Sequence, residues 1–81
     1  MLLLKHLQTL WKFSMQLPIA EYPQLKLIAW NRQDGDLIEE DEALALYERN
    51  WHYVDQAHLT DKEQQLINRL VKEFGNGVFH V

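Results

Sequence analysis

Leu3, Leu4, Leu7, Leu10, Trp11, Ser14 and Leu17 recur at steps of three and four along the start of the chain. That spacing predicts an α-helix with these residues on one side and Lys5, Gln8, Thr9, Lys12 and Gln16 outside it. Leu2 and Phe13 fall off the stripe, so the apolar sector is wider than one neighbouring element would cover. Pro18 closes the segment, because the residue before a proline avoids the α region.

Pro18 and Pro23 fence a short connector, IAEY. Proline suits the first helical position, so Pro23 is expected to open a second helix running to about Arg32, with Leu25, Ile28 and Ala29 inside. LKLIAW also alternates tolerably as a strand, and helix is preferred because a lone strand would find no partner except the last four residues. RQDGD reads as a turn hinged at Gly35. Asp36 then stands as the cap of a third helix, with Glu39 completing a capping box and Glu40, Asp41 and Glu42 favoured by the helix dipole. Its inner face continues through Ala43, Leu44, Tyr47, Trp51 and Val54. Thr60 and Glu63 repeat the box, and Leu66, Ile67, Leu70, Val71 and Phe74 mark the clearest helix of all. Gly75 is placed to end it in a left-handed conformation, leaving the apolar tail NGVFHV.

These elements predict one domain over residues 1–81 and an all-α fold: a small bundle of three to four helices. Residues 37–54 and 60–74 would form an antiparallel C-terminal helical hairpin, the first helix would close the core across it, and a short extended C-terminal tail would follow.

Composition narrows the function. At 81 residues the chain buries only about 60% of its unfolded surface, so a second subunit is a natural source of added stability. It has no cysteine, which removes disulfides and thiolate metal sites and fits a reducing, cytoplasmic setting. Residues 1–20 carry Lys5 and Lys12 and no acid, whereas residues 21–81 carry twelve acids against six bases. An acidic body offers no basic face for nucleic acid. Lys5, His6, Gln8, Thr9 and Lys12 interrupt the opening apolar run, so it reads as mature soluble protein and not as a signal peptide or a membrane span. Two lysines also make it a weak membrane-surface helix.

The densest candidate chemistry is YERNWHYVD, residues 47–55. Its aromatics read chiefly as core anchors, with Glu48, Arg49, His52 and Asp55 on the wet side. His52, Asp55 and His58 follow at steps of three, a set that could hold a metal if the helix continued that far. DGDLIEEDE fails as a calcium loop, because Trp30 and Arg32 would occupy its first and third ligand positions. Ser14, the lone serine, lacks a nucleophile elbow, and no glycine-rich phosphate loop exists. The sequence therefore points to a cytoplasmic protein-interaction module without catalytic activity or cofactor, self-associating as a homodimer or binding another protein. Trp11, Phe13, Arg49 and His52 are the expected contacts, since Trp and Arg dominate binding hot spots. The alternative is a small-ligand or metal-binding domain built on Arg49, His52, Asp55 and His58.

Overall fold

The computed structural model describes residues 15–30, 32–33 and 35–81. Apart from its last three positions, the expected first helix lies outside the described residues. Those three positions are not helical. Gln16–Pro18 forms a strand, β1, paired antiparallel with a second strand, β2, at Leu37–Glu39. Three α-helices complete the described fold: α1 at Pro23–Ile28, α2 at Glu40–Arg49 and α3 at Asp61–Phe74. Tight 3-10 turns occupy Ile19–Glu21, Trp51–Tyr53 and Gln56–His58. The architecture is thus small and mixed α/β, which corrects the expected all-α bundle.

The physical reason begins at Pro18. A residue before proline is pushed into extended backbone, so Leu17 leaves the helical stripe and needs a strand to satisfy its peptide groups. Leu37–Glu39 supplies one: Leu17 lies opposite Ile38, both buried, and Gln16 Nε2 donates to Glu39 Oε1 at 2.9 Å. Asp36 is meanwhile taken by its own turn, its carboxylate accepting from the Gln33 N–H at 2.9 Å. It does not cap α2. That helix begins three residues later than expected, after Glu39, with no side-chain cap.

The core joins both strands and all three helices, with Leu17, Ile19, Leu25, Ile28, Ile38, Tyr47 and Leu70 nearly dry. Helices α2 and α3 run in opposite directions, because Glu40 at the start of α2 meets Arg69 late in α3, and Tyr47 late in α2 meets Glu63 at the start of α3. Arg69 lies 2.6 Å from the buried Glu40 carboxylate and 3.1 Å from Glu73. The carboxylates, Glu40 foremost, raise the guanidinium's already high pKa.

Glu63 organises the interior. Its carboxylate is fully buried and accepts from the Gln24 N–H at 3.0 Å, the Leu25 N–H at 2.8 Å and the Tyr47 hydroxyl at 2.6 Å. The first two are orphan donors at the start of α1, a six-residue helix too short to persist alone and without a side-chain cap of its own. Glu63 is therefore an N-cap delivered from another helix, and the positive end of α1 stands in for a counter-ion. Half of the expected capping box exists, since Thr60 Oγ1 accepts from the Glu63 N–H at 3.1 Å. The other half is diverted across the core. Burial first, and then Glu63, push the Tyr47 hydroxyl pKa far above its ordinary value, which keeps it a donor.

The end of α3 also departs from expectation. Gly75 has φ −103°, and the left-handed residues are Asn76 and Gly77, at φ 53° and 81°. Gly75 is needed for closeness: a Cβ there would lie 2.6 Å from the Val78 carbonyl oxygen and 2.9 Å from that of Val71. The turn sends the tail back over the core, where Phe79 meets Trp51 edge-on at 4.8 Å and the His80 N–H donates to Glu48 at 2.9 Å. Among the described residues no helix is long and apolar enough to cross a membrane.

Candidate functional site

The fold brings two aromatic residues together where neither is needed for the core. Trp30 is 64% exposed and Tyr53 is 59% exposed, yet their rings meet edge to face at 5.7 Å, with an 89° angle between the planes. The His52 ring lies against Tyr53 at 4.1 Å, tilted by 39°. Arg49 closes α2 three positions earlier, also exposed.

Local structure explains why these rings face outward. Helix α1 stops at Ile28, and the Ala29 N–H closes onto the Leu25 carbonyl, so Trp30 steps off the helix just after its buried face of Leu25, Ile28 and Ala29 ends. Helix α2 stops at Arg49, and Trp51–Tyr53 tightens into a 3-10 turn, with the Tyr53 N–H on the Asn50 carbonyl at 2.8 Å. That turn leaves Trp51 half-buried and swings His52 and Tyr53 to solvent. The two segments are locked to each other below the patch. The buried Gln24 side chain on α1 accepts from the Asp55 N–H at 2.8 Å, two residues beyond Tyr53. Gln24 and Leu25 are in turn held by Glu63. The aromatic pair thus stands on the buried polar network of Glu63 and Gln24.

The expected site residues divide as follows. Trp11 and Phe13 lie outside the described residues. His52 belongs to the aromatic patch, and Arg49 borders it along the chain. Asp55 and His58 do meet, at 2.6 Å, but on an exposed turn. His52 does not join them, because the 3-10 turn ends the helical spacing that would have stacked the three. Among the described residues no group of three or more histidines or acids is placed to hold a metal ion.

Trp30 and Tyr53 were not among the expected contacts, although the sequence carries a signal for both. Each is a large aromatic left off the inner face assigned to its segment. Glu63 was readable too, since it precedes Leu66 by three and Ile67 by four and so continues the buried stripe of α3.

An open groove of about 310 Å³ lies between α3 and the returning tail. Ile67, Val71, Trp51 and Phe79 give it an apolar lining, and Gln64, Asn68 and Lys72 add polar groups. It encloses no cluster of groups suited to acid–base or nucleophilic chemistry. Comparison of the chain with protein-family models, with curated proteins and with solved structures finds no match.

Proposed function

We propose that this chain is a small cytoplasmic protein-interaction module without catalytic activity, which binds a protein partner or a second copy of itself through Trp30 and Tyr53, with His52 beside them. One observation carries the reading: two large aromatics, each more than half exposed, are held in mutual contact by a rigid base instead of being folded inward. Isolated exposed apolar side chains are ordinary, but a fixed aromatic pair gives a partner large contact area at little entropic cost. Trp, Tyr and Arg are also the residues that dominate binding hot spots; here Trp30 meets Tyr53 in space, and Arg49 lies four positions before Tyr53 along the chain. The ligand-binding alternative is less well supported, because His52 does not join the Asp55–His58 pair to make a cluster of three.

The test replaces Tyr53 with a photo-crosslinking benzoylphenylalanine and irradiates the protein in lysate of its native host. Gln65, on the exposed side of α3, carries the same group as a control. A discrete adduct from position 53 that position 65 does not form supports the reading. Equal, diffuse labelling from both positions contradicts it. Light scattering across a concentration series then separates self-association from binding to another protein.

A further inference from the structure

Close to the patch along the chain lies a charge that no described residue pairs with. Arg32 is bound to Glu42 at 2.7 Å, Lys62 to Glu21, and Arg69 to Glu40 and Glu73. Arg49 has no hydrogen bond or ion pair among the described residues. It sits at the last position of α2, three residues before His52 and four before Tyr53, within a continuous run of turns. The carboxylate nearest the patch along the chain, that of Asp55, is already committed to His58. The acids elsewhere make the body negative as a whole, but screening confines that field to about 8 Å at physiological salt, and Arg49, four residues before Tyr53, is an exposed cation left without a partner among the described residues.

We infer that the partner segment is an acidic peptide, which lays an apolar or aromatic side chain over Trp30 and Tyr53 and presents an Asp or Glu carboxylate to Arg49. The inference rests on the interaction reading above and deepens it. A guanidinium is suited to this task because its planar fork takes a carboxylate through two parallel N–H donors. The apolar pair supplies contact area, and the charge at its edge selects which peptides approach and in which register. A basic peptide meets the opposite situation, an unpaired cation beside the only aromatic surface of this kind among the described residues.

A random twelve-residue peptide library, displayed and selected on the immobilised full-length chain, tests this directly. The same selection is run on the Trp30→Ala, Tyr53→Ala double variant and on Arg49→Glu. All three positions are exposed, and urea unfolding of each variant checks that the fold is kept. The expected winners carry Asp or Glu beside an aromatic or aliphatic residue and disappear from the double variant. One winner, synthesised and titrated, is expected to bind about three- to tenfold more weakly to Arg49→Glu, while Arg49→Lys keeps part of the difference. Winners that need Trp30 and Tyr53 but are basic, or indifferent to Arg49→Glu, overturn the acidic-peptide inference and leave the interaction reading standing. Winners that bind the double variant as well as they bind the wild type, or no winners at all, overturn both.

Discussion

Replacing Glu63 with alanine tests the interior on which the aromatic patch stands. The substitution removes the acceptor of three buried donors: the Gln24 and Leu25 N–H groups and the Tyr47 hydroxyl. Each orphaned donor costs about 1–3 kcal/mol, although water entering the vacated space recovers part of it. A chain of this length has about 4–12 kcal/mol in total. The expected loss is at least about 3 kcal/mol, enough to leave much of the population unfolded or to free α1 from the core. Glu63→Gln should cost less, about 1–2 kcal/mol, because one oxygen still accepts from α1 and the Tyr47 hydroxyl can turn to accept from the new amide. Urea unfolding followed by far-ultraviolet circular dichroism, with tyrosine fluorescence for the Tyr47 environment, measures both. If Glu63→Ala costs under about 1 kcal/mol, the carboxylate is not the inter-helix cap described above and the reasoning fails.

Two further outcomes follow from the same structure. The Tyr47 pKa is raised in the folded state above the ordinary tyrosine value of 10.0, so its stabilising contribution is whole below pH 10 and is lost as pH climbs above it, where the unfolded chain ionises first. The stability difference between wild type and Tyr47→Phe should therefore shrink by about 1.4 kcal/mol per pH unit above pH 10, and a constant difference in paired urea titrations would contradict the assignment. Gly75→Ala forces a Cβ onto two backbone carbonyls and should cost about 1–3 kcal/mol, while Gly35→Ala, which meets nothing within 4 Å, should be close to neutral; equal effects in thermal unfolding would show that the tail turn is not close-packed.

How far the fold can be read from the chain depends on which force decided each element. Periodicity found α3 and the buried face of α1, because there the apolar stripe and the helix period agree. It failed at Leu17 and Leu37, where the same apolar residues fit either a helix or a strand. Pro18 broke the tie through backbone sterics, and only the pairing of two distant segments made that visible. Glu63 shows a different limit. Its place on the α3 stripe is legible, but its partners lie 38 and 39 residues away along the chain, and no local rule names them. The patch failed for the opposite reason. Trp30 and Tyr53 were visible as leftovers from two inner faces, and local turns then brought the leftovers together.

The most direct test of the account is a comparison of folding and binding in one protein, the Trp30→Ala, Tyr53→Ala double variant. Both residues are exposed, so urea unfolding should place the variant within about 1 kcal/mol of wild type. Photo-crosslinked capture from native-host lysate, through a benzoylphenylalanine at the neighbouring exposed position His52, should be lost in the same variant. A variant that still captures the wild-type partner at full yield, or one that has lost its fold, would contradict the claim that the aromatic pair serves binding and not structure.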